Sequence, residues 1–272
     1  MSIKFKKILT KFLSLTFSFY DLFCLKKIGM LSVQDKVVII TGASRGIGKA
    51  AAVLFAEKGA KVVMAARSMT DLEKTEQEIK SKNKNAECLW VVCDVTQEEN
   101  IKNLAKATFK KFGRIDILVN NAGIGINKPV TEFTTQDWDL TLDTNLKAPF
   151  LISREVLPIM IKQKGGQIIN ICSGAGKNPI KNYAAYCASK FGLIGFSESL
   201  ALEVRNYNIK VSLLLPGTTA TYFGDKKREY VGQRPKNALL AKEVAEAVLT
   251  LATQEPYAWT SEMNLRPLII EP

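Results

Sequence analysis

Tyr186 and Lys190 are the side chains best suited to acid–base chemistry in a sequence of 272 residues that contains no histidine. Without histidine there can be no Ser-His-Asp triad and no imidazole-based zinc site, so proton transfer falls to carboxylates, Tyr, Lys or Cys. A free tyrosine has a pKa of about 10, which a nearby cation lowers. Lys190 is four residues after Tyr186 and therefore shares its helix face. Ser173, which follows a predicted strand, can hold a substrate oxygen, so the three side chains could together bind an oxygen and transfer a proton to or from it.

A glycine-rich turn stands at residues 41–48, which read Thr-Gly-Ala-Ser-Arg-Gly-Ile-Gly. Gly42 allows a tight turn, Gly46 lets the backbone approach a pyrophosphate, and Gly48 lets the next helix pack close to the sheet. The N-terminus of that helix offers free N–H groups and a positive dipole end to the phosphates. Since an apolar strand precedes the turn and an amphipathic helix follows it, the pattern predicts dinucleotide binding.

The dinucleotide predicted for this turn is NADP(H) rather than NAD(H). A turn that binds NAD is followed about 20 residues later by Asp or Glu, which bonds the ribose 2′-hydroxyl. Here the second predicted strand leads into Arg67 with no acidic residue. The planar guanidinium groups of Arg67 and Arg45 would attract a 2′-phosphate, which a carboxylate would repel.

The elements that must position these residues alternate regularly along the chain. Strand-like apolar runs occupy residues 37–41, 61–65, 88–93, 115–119, 167–171, 210–215 and 264–269. Amphipathic stretches occupy residues 47–58, 71–81, 98–112, 136–163, 184–206 and 242–253. Near-continuous apolar strands that alternate with helices predict a single doubly wound α/β Rossmann domain, with a parallel seven-stranded sheet and helices on both faces.

Composition and charge exclude several other classes of protein. With 47% hydrophobic and 24% charged residues the chain is an ordinary globular protein. Its net charge is +12, but no block of basic residues interleaved with aromatics predicts a nucleic-acid groove. The five cysteines are odd in number and form no Cys-x-x-Cys motif, so we expect free thiols in a reducing, cytoplasmic compartment and no metal.

Residues 1–29 differ from the rest and leave three interpretations open. A lysine-rich start is followed by an apolar run with four aromatic residues between positions 12 and 20, too short to span a bilayer comfortably. The segment is an interfacial anchor that makes the protein membrane-peripheral, a targeting peptide, or a stretch upstream of a working start at Met30. Because the globular pattern begins near Met30, we assign residues 30–272 to the catalytic domain and favour the last interpretation.

Six motifs, in order and in register over about residues 35–222, resemble those of the short-chain dehydrogenase/reductase family. They are Thr-Gly-x-x-x-Gly-x-Gly at 41–48, Asn-Asn-Ala-Gly at 120–123, Asn145, Ser173, Tyr-x-x-x-Lys at 186–190, and Pro-Gly-x-x-x-Thr at 216–221. The resemblance implies a catalytic set of Asn145, Ser173, Tyr186 and Lys190. In such a set Asn145 would hold a water that connects Lys190 to solvent, and Lys190 would also bind the ribose hydroxyls.

The same resemblance implies contacts to NADP(H) along the carboxyl ends of the strands. The residues implied are Gly42, Ser44, Arg45, Gly46, Ile47, Gly48, Arg67, Asp94, Val95, Asn121, Ala122, Gly123, Tyr186, Lys190, Pro216, Gly217, Thr219 and Thr221. Asp94 and Val95 would contact the adenine. Relatives form tetramers through helices that resemble stretches 136–163 and 184–206, so we expect a homo-oligomer, with a homotetramer as the expected form.

The C-terminal end separates the possible substrates. The Arg266-Pro267 ending resembles general carbonyl and hydroxy-acid reductases of the family, whereas the front half resembles its ketoacyl reductases. We therefore expect reduction of a small-molecule carbonyl compound. The alternatives are a 3-oxoacyl-thioester reductase of lipid metabolism and a non-catalytic NADP-binding regulatory protein. Residues 221–240 form the predicted substrate loop, whose basic residues favour anionic substrates unless they are merely solvated.

Overall fold

The computed structural model describes residues 31–221, 223 and 237–269. Its strands are β1 (Val37–Thr41), β2 (Lys61–Ala66), β3 (Cys88–Val92), β4 (Ile117–Asn120), β5 (Gly166–Ile171), β6 (Ile209–Pro216), β7 (Thr219–Ala220), β8 (Leu239–Leu240) and β9 (Glu262–Leu265). Seven of them form one parallel sheet in the order β3-β2-β1-β4-β5-β6-β9, while β7 and β8 pair separately. The predicted seven-stranded parallel sheet is confirmed.

Helices cover both faces of this sheet. They are α1 (Gly46–Glu57), α2 (Met69–Lys82), α3 (Glu98–Phe112), α4 (Thr135–Leu142), α5 (Ala148–Gln163), α6 (Ala184–Val204) and α7 (Ala241–Ala252). The core on one face is built with α1, α2 and α7, and the core on the other with α3, α5 and α6. All five residues of β1 are buried, which explains why this central strand is an unbroken apolar run apart from its last residue.

The strand order reverses between β1 and β4, and this reversal locates the edge of the sheet where a ligand can bind. From β1 the chain first builds outward through β2 and β3, then returns to add β4, β5 and β6 on the other side. In open α/β sheets the crevice at such a reversal, outside the carboxyl ends of the strands, is where ligands bind. The glycine turn follows β1, and residues 121–123 follow β4, so both lie at this crevice.

Most predicted elements shift by one or two residues at their ends, and two differ more from the structure. The helical stretch predicted at residues 136–163 is α4 and α5, joined by a π-helical turn at Asp143–Lys147. The last strand was predicted at residues 264–269, but β9 spans Glu262–Leu265 and pairs with β6. That prediction was wrong because Pro267 lacks the N–H that a ladder requires, so the strand begins earlier and ends before it.

The predicted boundary between residues 29 and 30 lies outside the described part of the chain. Within the described ranges, no helix is both long enough and apolar enough to cross a membrane. Cys88, Cys93, Cys172 and Cys187 are buried free thiols. The described residues thus form one α/β domain, as predicted.

Candidate active site

The glycine turn between β1 and α1 has the backbone geometry that close approach of a phosphate requires. Gly42 (φ +65°) and Gly46 (φ +57°) lie in the left-handed region, which a residue with a Cβ adopts only at a cost. A Cβ on Gly48 would overlap the carbonyl oxygen of Gly42, so α1 packs directly against the turn. Each of the three predicted glycines therefore has its own steric reason to be glycine.

Thr41, the last residue of β1, ties this turn to the end of β4. Its Oγ1 accepts hydrogen bonds from the backbone N–H groups of Asn121 and Ala122, both at 3.0 Å. The Asn121 amide in turn donates to the carbonyl oxygens of Thr41 (2.8 Å) and Gly42 (3.3 Å). Thr41 was not predicted as a site residue; the signal that could have found it is a polar residue that ends an otherwise apolar buried strand.

The N-terminus of α1 carries no group that would compete with an anion. The side chain of Arg45 makes no capping hydrogen bond, and the first turn contains no acidic residue. The first N–H groups of a helix lack intrahelical partners, and the helix dipole adds positive potential there. Together with the Cβ-free turn, this end of α1 fits a pyrophosphate, with Ser44 and Ile47 partly exposed beside it.

Arg45 and Arg67 lie on neighbouring segments of the crevice. The backbone N–H of Ala43 donates to the carbonyl of Ala65 at 3.2 Å, which holds the glycine turn beside the end of β2, where Arg67 follows. Both arginines are exposed, and neither forms an ion pair within the described ranges. Two unpaired guanidinium groups at this edge give it a positive charge suited to a phosphate ester.

Asp94 and Val95 continue the same edge after β3. The backbone N–H of Cys93 donates to the carbonyl of Ala66 at 2.9 Å, which keeps this segment beside β2. The Asp94 carboxylate accepts hydrogen bonds from the N–H and the hydroxyl of Thr96, and Val95 is buried. The structure therefore places both residues near the predicted adenine end of the crevice.

Ser173, Tyr186 and Lys190 come together on the other side of the crevice, from β5 and α6. The Lys190 ammonium donates to the carbonyl oxygen of Ile171 at 2.9 Å and lies 5.8 Å from the centre of the Tyr186 ring. The Ser173 Oγ accepts from the Ala175 N–H at 3.1 Å, and the Ser173 side chain adjoins the Tyr186 phenol. The glycine turn and α6, which lie more than 130 positions apart in the sequence, thus frame one crevice.

Burial shifts the pKa of both the tyrosine and the lysine. Tyr186 and Lys190 are 8% and 4% exposed. Loss of hydration raises the pKa of the Tyr186 phenol, although the hydrogen bond with Ser173 acts in the opposite direction. The same loss lowers the pKa of Lys190. The Lys190 ammonium is bonded to the Ile171 carbonyl, and the expectation that it lowers the pKa of Tyr186 stays a prediction.

Asn145 belongs to the π-helical turn between α4 and α5. Its Nδ2 donates to the carbonyl of Ile124 (2.8 Å) and to the hydroxyl of Ser189 (3.0 Å), and its Oδ1 accepts from the Ile124 N–H (2.9 Å). A Cβ added to Gly123 would lie 3.3 Å from Asn145 Oδ1 and 3.9 Å from Lys190 Nζ, so the three residues adjoin. Both ends of the Asn145 side-chain amide are therefore bonded to protein. The group left by which Asn145 could hold a water is its backbone carbonyl oxygen.

The segment after β6 runs back to the glycine turn and borders the crevice there. The Gly217 N–H donates to the carbonyl of Leu265 at 2.8 Å, and Thr219 pairs with Leu239 between β7 and β8. A Cβ on Gly46 would lie 3.4 Å from the Thr221 side chain. Pro216 ends β6 and is buried. Of the predicted residues of this segment, the structure thus brings Thr221 against the glycine turn, while Pro216, Gly217 and Thr219 lie between β6 and that contact.

Comparison with known proteins agrees with this geometry. The sequence profile described as short chain dehydrogenase matches residues 36–231. An uncharacterized oxidoreductase of Staphylococcus epidermidis is 33% identical over 245 residues, which cover 88% of this chain and all of the relative. A 3-oxoacyl-(acyl-carrier-protein) reductase of Thermotoga maritima is 34% identical over 231 residues, 83% of this chain and 93% of that protein.

The fold comparison points the same way. A metagenomic short-chain oxidoreductase solved in complex with NADP shares 38% identity and a TM-score of 0.77, covering 88% of this chain and 99% of that one. Its bound NADP supports the coenzyme predicted from Arg45 and Arg67. The matched profile spans well over half of the sequence, and the chain belongs to the short-chain dehydrogenase/reductase family of oxidoreductases.

Proposed function

We propose that the protein is an NADP(H)-dependent reductase that interconverts a carbonyl compound and a secondary alcohol. The observation that carries the proposal is the meeting of Ser173, Tyr186 and Lys190 across a crevice from the glycine turn and its two free arginines. When bound, the coenzyme supplies or accepts the hydride. The chain must then bind the coenzyme, orient the carbonyl and deliver a proton to its oxygen.

Backbone and cations share the work of holding the coenzyme. The first N–H groups of α1 and the turn at Gly42 to Gly48 would bind the pyrophosphate, and Arg45 and Arg67 would bind the 2′-phosphate. Asp94 and Val95 would contact the adenine, and Lys190 the ribose hydroxyls near Tyr186. Asn121 acts mainly through the turn, since both of its amide bonds hold Thr41 and Gly42.

Tyr186 is the proton donor in the direction of carbonyl reduction. Burial raises the pKa of its phenol, so the side chain keeps its proton at neutral pH and can give it to the alkoxide as the hydride arrives. Ser173 holds the substrate oxygen beside the phenol. Lys190 and Asn145 lie behind Tyr186 and would return a proton to it from solvent.

A narrower candidate reaction is reduction of a 3-oxoacyl thioester. It is favoured by the Thermotoga maritima reductase that is 34% identical to this chain. The alternative that is not an enzyme is a regulatory protein that binds NADP without catalysis. The complete set of Ser173, Tyr186, Lys190 and Asn145, brought together as described, supports catalysis over that rival.

The proposed assembly is a homotetramer. Five large apolar side chains are exposed on α4, α5 and α6, the helices within the two stretches predicted to form contacts: Trp138, Leu140, Phe150, Phe191 and Leu202. Exposed apolar faces of this kind mark interaction surfaces. Light scattering at micromolar concentration should report about four times the 30.1 kDa of the chain, and a monomer would contradict the assembly.

We place the working enzyme in the cytoplasm, with peripheral membrane attachment through residues 1–29 as the alternative. The four described cysteines are free thiols, which suits a reducing compartment. Cell fractionation with measurement of the N-terminal mass separates the two.

A substrate screen tests the proposed reaction. Aliphatic ketones, aryl ketones and 3-oxoacyl thioesters would be mixed with the protein and NADPH, and the coenzyme absorbance followed. We expect oxidation of NADPH by at least one of these carbonyl classes and a much slower reaction with NADH. Tight binding of NADPH without oxidation by any of them would favour the regulatory alternative.

A further inference from the structure

We propose that Tyr183 and Phe223 form an aromatic wall beside the Tyr186 phenol, and that this wall selects ketones with a flat apolar group next to the carbonyl. The inference rests on the proposed function and names a substrate class for it. The wall is defined by the two rings of Tyr183 and Phe223. Gly125 is the residue that makes room for it.

The two rings contact Tyr186 from two different segments, Tyr183 from just before α6 and Phe223 from after β7. The centroid of the Tyr183 ring lies 5.8 Å from that of Tyr186 at an interplanar angle of 69°, and the Phe223 centroid lies 5.4 Å away at 58°. These are edge-to-face and tilted contacts of the kind that aromatic rings prefer. Tyr186 is 8% exposed whereas Phe223 is 41% exposed, so apolar ring surface remains open next to a covered phenol.

Gly125 is fitted to this arrangement. It is buried, and a Cβ built on it would lie 2.6 Å and 2.9 Å from two atoms of the Phe223 ring and 3.2 Å from the Tyr183 ring. Its φ does not lie in the left-handed region, so an alanine there would crowd the wall without straining the backbone. A glycine at this position therefore lets Phe223 sit close to the chain beside Tyr186.

The wall is anchored and carries no charge of its own. The Lys128 N–H donates to the carbonyl of Asn182 at 2.9 Å, which ties the segment before Tyr183 to the segment after Gly125. The Lys128 ammonium is itself paired with Asp137 at 2.7 Å. A ring on the substrate would gain stacking and apolar contact here, whereas a substrate carboxylate placed against the faces of the two rings would lose hydration, and only the Tyr183 hydroxyl at the edge could donate to it.

Three ketones compared on matched variants test the wall. The probes are acetophenone, 2-butanone and acetoacetate, and the readouts are kcat/KM for each and the NADPH Kd. We expect the native protein to prefer acetophenone, and both Phe223→Ala and Gly125→Ala to lose about fivefold to tenfold on acetophenone but less than twofold on 2-butanone. Gly165→Ala is the control, because a Cβ there meets only ordinary contact with Asn208 at 3.7 Å.

The outcomes separate the wall from the reaction. Equal losses on acetophenone and 2-butanone, an unchanged acetophenone rate in Phe223→Ala, or a preference for acetoacetate in the native protein would overturn the wall while the reductase activity stands. Reduction of none of the three and of no thioester, with NADPH still bound, would overturn the proposed function and the wall with it. An unchanged NADPH Kd in Phe223→Ala and Gly125→Ala shows that both variants are folded.

Discussion

The coenzyme side and the catalytic side of the crevice are built in different ways. The coenzyme side is centred on one continuous stretch, the three glycines and the start of α1, whose backbone would bind the coenzyme, with the exposed side chains of Arg45 and Arg67 beside it. The catalytic side consists of the buried side chains of the π-helical turn and the start of α6, together with the half-buried Ser173 just after β5. The first is specified locally, and the second exists only when distant elements have packed.

This difference predicts how each side fails when it is changed. A substitution on the coenzyme side should alter the affinity for the coenzyme. Comparison of the NADPH and NADH affinities of each variant should then distinguish backbone effects from charge effects. A substitution among the buried side chains should alter turnover while binding persists. The predictions for Tyr186, the two arginines and Gly48 test this separation between binding and turnover.

The largest effect is expected from Tyr186→Phe. Removal of the proton donor should lower kcat by about 10²–10⁴-fold, because a positioned acid typically contributes that much. The NADPH Kd should stay within about threefold, since the ring and its contacts with Tyr183 and Phe223 remain. Steady-state kinetics and coenzyme fluorescence measure the two quantities. Tyr257→Phe, at a fully exposed residue, is the matched control, and native turnover in Tyr186→Phe would refute the donor role.

The next effect concerns charge on the coenzyme side. Arg67→Ala and Arg45→Ala should each weaken NADPH by roughly 10- to 150-fold, the equivalent of about 1.5–3 kcal/mol for a hydrogen bond to a charged group. NADH, which lacks the 2′-phosphate, should lose less than threefold. Titration of both coenzymes into each variant gives the ratio. Equal losses for NADPH and NADH would show that neither arginine binds the 2′-phosphate.

A backbone change should weaken both coenzymes together. In Gly48→Ala the new Cβ would overlap the Gly42 carbonyl, and overpacking of this kind costs about 1–3 kcal/mol. Displacement of the turn should therefore raise the Kd of NADPH and NADH alike, by roughly 5- to 100-fold. Gly165→Ala serves as the control at the opposite end of β5. A selective loss of NADPH alone in Gly48→Ala would contradict the division between backbone and charge.

Sequence patterns predicted the coenzyme side better than the catalytic side. The glycine turn could be predicted because strand, turn and helix follow one another within residues 37–57. Tyr186, Lys190 and Ser173 could be argued from their chemistry and spacing, but Asn145 was predicted only through the family motif, since nothing local links it to Ile124 and Ser189. The π-helical turn at Asp143–Lys147 was missed because an amphipathic pattern does not reveal one inserted residue, and the aromatic contacts of Phe223 depend on tertiary packing.

A further prediction tests burial just after β3, away from the reacting groups. Burial raises the pKa of the Cys93 thiol from about 9 to about 11. As the pH rises through that interval the unfolded chain loses its proton first, so the free energy of unfolding should fall, by roughly 2–3 kcal/mol from this group. Denaturant unfolding at pH 8 and pH 11, under reducing conditions, should show a smaller decline for Cys93→Ala. Equal declines in the two proteins would contradict the assignment.

Hydride transfer from the coenzyme to the substrate is the central claim, and isotope transfer tests it most directly. The protein would be given a carbonyl substrate together with NADPH carrying deuterium on one or the other face of C4, and the alcohol product analysed by mass. The account predicts one deuterium on the carbinol carbon from one of the two coenzymes, and none when the deuterium is supplied only by the solvent. An alcohol that carries no coenzyme deuterium from either face would contradict it.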